Sequence, residues 1–553
     1  MGGMRNSYGR GDKAGGNSGS LRTLTYRQAA RLKQVIVACV VCLAIYCFVL
    51  APPRRRDLDV SPSSSSSLSS SSGAVSPESE FDGPSYKYEQ PPLPPLPPEL
   101  LENRSLTEAQ CRASFPGLLK EVDDAVARGP FTLKRSRSSL GPLIARIRDG
   151  QLYILSAARK SDLSKDMLAH RSATLHQIAA ALLTAPYPRS AAVPDTVFAF
   201  NHHDDPLPGT LSYSRPADPA LLNERQDSPS SSSSENTDSG EGGEAQQQQQ
   251  QKHYFPIPHF SFYSWPLPSV GSFARASHAI TSIEESLLRH PADSDDEALS
   301  SPSSSSSSLS WWYAKIPRAV WRGTTWFNNA RAGRTRQDLV AVARGQPWAD
   351  VEPLRRTTTS TTGGSGNALP IEDFCRYRYV VYTEGITYSG RLPFHLVCAS
   401  VVLTPPLAWL QHATHLLRPA FSYALERGSP EPAAGGGKGE KGYPPAPWVR
   451  AAWPRTYDPS TEANVVFVAP DWSDLEATVA WLEARPRVAA AIARRQRDLF
   501  HGGGYFSPAA EMCYWRALLR GWAEVARIDD DGQGFDDLEE TPWEQFSLEE
   551  IHK

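Results

Sequence analysis

Apolar and polar positions follow two different periods along this chain, and together they predict both strands and helices. Alternating residues over 377–382 and an apolar run over 399–403 predict two strands, joined by a turn and a helix that opens near Ser389. A helical period marks 107–127, 163–185, 487–500 and 507–528. Because strands alternate with helices, the pattern predicts an α/β architecture with parallel sheets.

Further strands are expected between these helices. They are predicted at 144–155, 196–201, 253–273 and 464–470. Asp149 and Gly150 lie at the centre of the first segment and predict a hairpin turn. The third segment is rich in aromatic residues and prolines, which indicates an irregular or edge strand. Ser473 and Glu476 have the spacing of a capping box, which predicts the start of a helix.

The N-terminal part of the chain has a different pattern. Residues 1–34 are Gly/Ser-rich and basic near their end, which predicts a disordered cytosolic tail. Residues 35–51 are uninterrupted apolar sequence and predict a transmembrane signal anchor, with a cleaved signal peptide or a buried core helix as alternatives. Residues 52–100 form a Ser/Pro-rich stem. An N-glycosylation triplet begins at Asn103 and is usable only if this side of the membrane is lumenal.

Low-complexity segments divide the remainder of the chain. Acidic and serine-rich sequence over 218–252 and 290–310 predicts two disordered insertions. The expected organisation is an N-terminal half at 101–310, a C-terminal half at 311–528 and a loose acidic tail at 529–553.

Composition narrows the possible partners. The 553 residues carry a formal net charge of −3, which gives no support for nucleic acid as a partner. Fourteen Trp and twenty Tyr fit a protein that stacks rings on sugars or bases, although most such rings belong to a core. Four cysteines scattered outside the apolar run allow up to two disulfides of undetermined connectivity and lack the spacing of a zinc site: Cys111, Cys375, Cys398 and Cys513.

One candidate cluster follows the strand predicted at 196–201. It contains His202, His203, Asp204 and Asp205. These residues could form a metal site or a solvated acidic turn. They could also place one carboxylate at the C-terminal end of a strand, where α/β folds position their functional side chains. Such an aspartate can take a proton from an attacking hydroxyl.

Two further clusters combine arginine with glycine. One consists of Trp321, Arg322, Gly323 and Thr324. The other consists of Glu384, Gly385, Ser389, Gly390 and Arg391. Arginine beside glycine and free backbone N–H groups suits a phosphate or diphosphate. The alternatives are a solvated basic helix face and a surface ion pair of Arg391.

Several motifs in fixed order resemble glycosyltransferase family 90, which includes fungal capsule-associated proteins, xylosyltransferases and Rumi-type protein O-glucosyltransferases. The motifs are WRGTT, YRYVVYTEGITYSGRLPFHLVCASVVL, APDWSDLEATVAWLEARPRVAAAIARRQRDLF and YFSPAAEMCYWRALL. The resemblance covers roughly residues 140–525 without the insertions. It implies a GT-B-like fold of two Rossmann-type halves around a cleft, a UDP-sugar donor and inversion at the anomeric carbon, with no obligatory metal or other cofactor.

The resemblance also implies roles for individual residues. The N-x-x-D-x-P motif matches Asn201, Asp204 and Pro206 and makes Asp204 the general base, although the adjacent Asp205 leaves this open by one residue. The tryptophan-arginine-glycine and serine-glycine-arginine motifs assign Arg322 and Arg391 to the donor diphosphate. Glu384 and Gly385 match the acidic-glycine pair before the donor pocket. The family's lysine after the strand is Thr404 here, so one donor contact is missing or supplied elsewhere.

The resulting hypothesis is an inverting glycosyltransferase anchored in the Golgi or endoplasmic reticulum membrane as a single-pass type II protein. It moves xylose or glucose from a UDP-sugar to a glycan or protein hydroxyl. The alternatives are a catalytically inactive glycan-binding protein of the same fold and a metal-dependent secretory hydrolase that uses His202, His203 and Asp204. Sequence alone does not identify the sugar, the acceptor or the oligomeric state.

Overall fold

The structure covers most of the chain after the predicted stem. The computed structural model describes residues 96–135, 140–223, 252–267, 269–289, 309–328, 333–355, 366–425, 447–450, 452–528 and 534–552. These residues all belong to the compact unit Glu89–Lys553. The predicted tail at 1–34, the predicted anchor at 35–51 and most of the two predicted insertions lie outside the described residues. In the described ranges, no helix is both long enough and apolar enough to cross a membrane.

Helices and strands alternate along most of the described chain. The helices are α1 (Pro98–Leu101), α2 (Glu108–Ser114), α3 (Lys120–Val126), α4 (Lys165–Leu183), α5 (Arg189–Ala192), α6 (Pro219–Asn223), α7 (Phe273–Arg289), α8 (Ser310–Tyr313), α9 (Thr335–Ala343), α10 (Leu392–Leu396), α11 (Ser422–Leu425), α12 (Pro447–Arg450), α13 (Pro459–Glu462), α14 (Leu475–Glu483), α15 (Pro486–Arg497), α16 (Pro508–Val525) and α17 (Trp543–His552). Shorter helical turns lie at Lys160–Asp162, Phe260–Phe262, Ile371–Arg376, Thr414–Leu416 and Asp498–Gly502.

The strands form two larger sheets. They are β1 (Phe131–Leu133), β2 (Leu143–Arg148), β3 (Gln151–Ser156), β4 (Thr196–Phe200), β5 (Thr210–Ser212), β6 (Arg215–Pro216), β7 (Tyr254–Pro256), β8 (Ile316–Gly323), β9 (Ala349–Pro353), β10 (Tyr377–Val381), β11 (Val401–Thr404), β12 (Trp409–Leu410), β13 (Pro419–Phe421), β14 (Val465–Phe467), β15 (Ala526–Ile528) and β16 (Thr541–Pro542). The first sheet has the order β16-β3-β2-β4-β5-β7, and the second has the order β13-β14-β11-β10-β8-β9.

The second sheet is parallel throughout and buried on both faces. Val380 and Tyr382 face one apolar cluster, while Tyr379 and Val381 face the other. Successive side chains of a strand point to opposite faces, so such a strand is apolar on both sides. This explains why the sequence pattern located β10 to within one residue.

The first sheet is mixed. Strands β16, β3, β2 and β4 pair antiparallel, and β4, β5 and β7 pair parallel. The predicted hairpin is confirmed, because Asp149 and Gly150 have φ angles of 52° and 72° and form the tight turn between β2 and β3. The predicted edge strand is also confirmed, because β7 is the last strand of its sheet. The mixed α/β architecture with a parallel sheet fits a Rossmann-like fold.

The C-terminal part of the chain returns to the first sheet. The indole of Trp515 on α16 donates to the Gln177 side chain (3.1 Å), and that of Trp522 donates to the Val197 carbonyl (2.9 Å). A disulfide joins Cys111 to Cys513 across 402 positions of sequence. Helix α16, which the sequence places in the 311–528 half, therefore packs on the first sheet.

Two local predictions need correction. The helix predicted to begin at Ser473 forms as α14, but its capping box with Glu476 does not, because Trp472 has a φ of 62° and Asp474 is the N-cap. The Asp471 carboxylate instead accepts the N–H of Ser473 (3.1 Å). The acidic tail is not loose throughout, because β16 pairs with β3 and α17 follows it.

Candidate active site

The loop that carries Asp204 is fixed by Asn201, the first residue after β4. The Asn201 amide donates to the Asp205 carbonyl (2.6 Å) and to the Ser212 hydroxyl (3.3 Å), while its oxygen accepts the His203 N–H (3.2 Å). Asn201 is fully buried. The loop therefore has a set conformation and presents Asp204 beyond the C-terminal end of a strand.

The carboxylate of Asp204 has an unusual electrostatic environment. Asp204 is exposed to solvent, whereas Asn201 and His202 just before it are buried, so its carboxylate is only partly desolvated by the loop and its neighbours. This desolvation raises the pKa of Asp204, the charge of Asp205 raises it further, and His203 opposes both effects. Burial lowers the pKa of the neighbouring His202 to about 3, so that imidazole is neutral at physiological pH. A raised proton affinity suits a carboxylate that must accept a proton.

The alternative prediction was a metal site formed by His202, His203 and Asp204. In the part of the chain that the structure describes, no three His, Cys, Asp or Glu side chains are grouped as metal ligands would be. The His202 ring packs against Phe200 and His203, with ring centroids 6.2 and 4.5 Å apart.

The third cluster of the sequence lies directly against the Asp204 loop. The Thr387 hydroxyl donates to the backbone carbonyl of Asp204 (3.0 Å). The Gly385 N–H donates to the carbonyls of Thr387 (3.0 Å) and Tyr388 (3.2 Å), which folds the loop back on itself. Two clusters that are 183 positions apart in sequence are therefore in contact.

The serine-glycine-arginine motif is held by contacts on both sides. The Ser389 N–H donates to the Tyr382 hydroxyl (2.9 Å). A Cβ at Gly390 would overlap the imidazole of His259, which belongs to the segment after β7. Glycine is required at this position because two segments approach closely there. These contacts fix the backbone from which Arg391 extends.

Two buried guanidinium groups lie close together at this loop. Arg391 donates through Nη1 to the Arg322 carbonyl. Arg336 on α9, which sequence analysis did not single out, donates to the carbonyls of Glu384 (2.9 Å) and Thr324 (3.0 Å). Burial lowers the pKa of each guanidinium to about 10, and at Arg336 the charge of Arg391 lowers it further.

This pair of cations has no compensating charge within the described residues. Neither Arg336 nor Arg391 forms an ion pair with a carboxylate there. Two uncompensated cations at close range are costly for the folded protein. Because guanidinium groups bind phosphate oxygens through paired N–H groups, the arrangement is that of an anion site.

Arg322 is engaged differently. Its side chain is buried and pairs with the Asp350 carboxylate on β9 (2.6 Å). It also donates to the carbonyls of Asn367 (3.2 Å), Trp321 (3.0 Å) and Asp350 (2.7 Å). Four of the five N–H groups of a guanidinium are thereby used. The assignment of Arg322 to a diphosphate stays a prediction, and the geometry favours Arg336 as the partner of Arg391.

The other residues of the second cluster make contacts that hold the backbone at the end of β8 and the side chain of Arg336. The Trp321 indole is buried and donates to the Thr383 hydroxyl (3.1 Å). A Cβ at Gly323 would lie 2.5 Å from the Trp321 ring, so only glycine fits at the end of β8. The Thr324 carbonyl is the acceptor that positions Arg336.

Glu384 and Thr404 form backbone contacts. The Glu384 carboxylate accepts the N–H groups of Ala408 (3.1 Å) and Trp409 (2.9 Å). Thr404 is buried at the end of β11, and its hydroxyl donates to the Pro405 carbonyl (3.0 Å). The predicted helix after Arg391 is only the five-residue α10 and includes Pro393, which has no N–H, so few free donors arise there.

A separate hollow lies between α2 and α16. Its lining includes Glu108, Arg516 and Arg520. Arg520 pairs with Glu108 (3.0 Å), and Arg516 donates to the carbonyls of Arg104 (2.9 Å) and Leu106 (3.2 Å). Because this hollow contains no residue of the three sequence clusters, we place the candidate site at Asp204, Arg336 and Arg391.

Comparison with known proteins shows which family one part of the chain is similar to. Residues 296–425 match the family model described as glycosyl transferase family 90. The chain is related to glycosyl transferase family 90. It is also 24% identical over 222 residues to an O-glucosyltransferase rumi homolog of Anopheles gambiae. That alignment covers 39% of this chain and 44% of the relative, so the chain spans less than half the length of that protein.

The glycosyl transferase family 90 match contains the whole anion site. Arg322, Arg336, Glu384 and Arg391 all lie inside 296–425, whereas Asp204 lies before it. The contact between Thr387 and Asp204 is therefore the observation that connects the carboxylate to the matched region.

Proposed function

We propose that this protein is an inverting glycosyltransferase that moves xylose or glucose from a UDP-sugar to a glycan or protein hydroxyl. The observation that supports the proposal is the pair Arg336 and Arg391, which has no carboxylate partner among the described residues and lies beside the loop of a carboxylate with a raised pKa. The proposal thus assigns phosphate binding and base chemistry to one place. The proposed arrangement is GT-B-like, with the donor on the second sheet and Asp204 contributed by the first.

In the proposed reaction, Asp204 takes the proton of an acceptor hydroxyl as its oxygen attacks the anomeric carbon of the sugar. The bond from that carbon to the diphosphate oxygen breaks, and UDP leaves from the opposite face. Negative charge grows on the diphosphate, where Arg336 and Arg391 stabilise it. Preorganised donors of this kind contribute about 3–4 kcal/mol each to transition-state stabilisation. UDP leaves without a proton, so one carboxylate is sufficient, in contrast to the two that a glycosidase needs.

Release of UDP from a panel of donors tests the proposal. The purified protein should release UDP from UDP-xylose or UDP-glucose when incubated with glycan and protein acceptors. UDP should also raise the melting temperature, because a ligand that binds only the folded state stabilises it. Binding without release would support the inactive glycosyltransferase-like alternative. Neither binding nor release, from a protein that is folded, would refute the proposal.

We further propose that the chain acts in the secretory pathway, anchored in the Golgi or endoplasmic reticulum membrane with its catalytic part in the lumen. The disulfides Cys111–Cys513 and Cys375–Cys398 support this placement, since disulfides persist in oxidising compartments. The membrane anchor itself stays a sequence prediction.

We expect Asn103 to carry an N-linked glycan if this placement is right. Asn103 is exposed, and its oxygen accepts both the N–H (3.0 Å) and the hydroxyl (2.9 Å) of Ser105. It begins the single N-x-S/T triplet of the sequence. When the full chain is made in secretory cells, treatment with an amidase specific for N-glycans should shift its mass. Asn103→Gln should abolish the shift and Ser105→Thr should keep it, while an unshifted wild type would contradict a lumenal location.

A further inference from the structure

Two polar hydrogens on largely buried side chains lack an acceptor among the described residues, at the wall between the Asp204 loop and the Arg391 loop. They belong to the hydroxyl of Tyr388 and to Nε2 of His259, and the two side chains are 8% and 3% exposed. The two rings stand edge to face, with centroids 5.7 Å apart. Among the described residues, neither group donates a hydrogen bond. Neither atom is among the fully buried polar atoms that lack a partner, so both are open to solvent and free to bind a ligand.

The tautomer of His259 is fixed by its neighbour. The backbone N–H of Ser261 can only donate, and it donates to Nδ1 of His259 (3.2 Å), so the ring hydrogen is on Nε2. Burial, together with the nearby His170 and His412, holds the pKa of His259 well below its usual range, and the ring stays neutral. His259 is therefore a neutral donor whose Nε2 edge lies against Gly390.

Tyr388 is equally constrained. The Gly385 N–H holds its carbonyl (3.2 Å), and its ring lies 6.2 Å from that of Tyr213. The Tyr213 hydroxyl is already taken by the Thr174 hydroxyl (2.8 Å). Burial and the charge of Asp204 raise the pKa of Tyr388, so its hydroxyl stays protonated. The Tyr388 hydroxyl can therefore both donate and accept a hydrogen bond near the Asp204 carboxylate.

We propose that Tyr388 and His259 form the subsite that binds hydroxyl groups of the transferred pyranose. This inference rests on the proposed function. The two groups flank the segment that leads into Arg391, and Thr387, next to Tyr388, contacts Asp204. They thus lie between the proposed diphosphate site and the proposed base, where the sugar ring must lie for the transfer to occur. Tyr388 can donate and accept and His259 can only donate, so the pair selects sugars that present an acceptor oxygen to the imidazole.

The test compares binding of UDP with binding of UDP-sugars by titration calorimetry. Tyr388→Phe removes one oxygen and keeps the ring. His259→Asn keeps an acceptor for Ser261 but loses the Nε2 donor, whereas His259→Gln can retain a donor at that distance. We expect Tyr388→Phe and His259→Asn each to weaken UDP-xylose or UDP-glucose binding by about tenfold, since losing a hydrogen bond costs about 1.4 kcal/mol. UDP binding should stay unchanged, and His259→Gln should recover part of the sugar affinity.

Tyr213→Phe is the matched control, because the Tyr213 hydroxyl already has a protein partner. It should leave the ratio of UDP-sugar to UDP affinity unchanged. Equal weakening of UDP and UDP-sugar by Tyr388→Phe, or no weakening of either, would overturn the subsite. If His259→Asn does not fold, Tyr388→Phe decides alone. A folded wild type that binds neither UDP nor UDP-sugar would instead refute the proposed function, and the subsite with it.

Discussion

Asp204→Asn should lower kcat by about 10²–10⁴-fold, because it removes the group that we propose accepts the acceptor's proton. The amide is nearly isosteric, and the loop is held by Asn201 rather than by the Asp204 carboxylate, so the fold should be retained. Turnover of UDP-xylose or UDP-glucose, measured beside the melting temperature, checks both statements. A variant with wild-type turnover would show that another group is the base.

Asp205→Asn is the matched control, and it should preserve turnover while changing its pH dependence. A base works in its deprotonated form, so activity is present above the pKa of Asp204 and is lost as pH falls through it. Desolvation and then the charge of Asp205 raise this pKa, so the loss should occur at higher pH than for an ordinary aspartate. Removing the Asp205 charge lowers the pKa and should move the acid limb of kcat/KM to lower pH. If the acid limb does not move, Asp204 is not the group whose protonation removes activity at low pH.

Arg391→Met should strongly weaken UDP binding without lowering the stability of the unliganded protein. Two hydrogen bonds from a guanidinium to a diphosphate are worth about 3–4 kcal/mol, so the affinity for UDP should fall by about 10²–10³-fold. Within the described residues Arg391 has no carboxylate partner and lies close to Arg336, so methionine removes a repulsion along with a charge. Calorimetry with UDP and the unfolding midpoint measure the two effects.

Arg322→Met provides the contrast. Arg322 forms a buried pair with Asp350, and breaking such a pair leaves an uncompensated charge that costs about 3–5 kcal/mol of folding free energy. This variant should therefore lose stability first and affinity only as a consequence. If Arg391→Met loses as much stability as Arg322→Met and keeps its affinity for UDP, then Arg391 has a structural role and the anion site is wrongly placed.

Periodicity alone located most elements of the two sheets. Strand β10 is apolar on both faces, and the β2–β3 hairpin carries Asp149 and Gly150 at its turn, so local sequence was sufficient for both. The start of α14 was predicted to within one residue, but its cap was not, because the Asp471 side chain and the left-handed conformation of Trp472 replaced the expected cap.

The site was only partly predictable from sequence, because long-range pairing decides which arginines are free. The sequence motif could not show that Arg322 would meet Asp350 across the β8–β9 pair. The sequence around Arg336 did contain a pattern from which its burial could have been predicted. It shares the buried face of α9 with Leu339 and Ala343, at spacings of three and seven residues. An arginine within such an apolar stripe must find a buried partner or bind a ligand.

The bond between Cys111 and Cys513 has a consequence for biosynthesis. Cys513 leaves the ribosome 402 residues after Cys111, and α16, which packs on the first sheet, arrives with it. Until then Cys111 must persist as a thiol while Cys375 and Cys398 emerge and pair with each other. The first sheet therefore completes its folding only after α16 has emerged, and its correct maturation depends on a cellular oxidant that reaches Cys111 late.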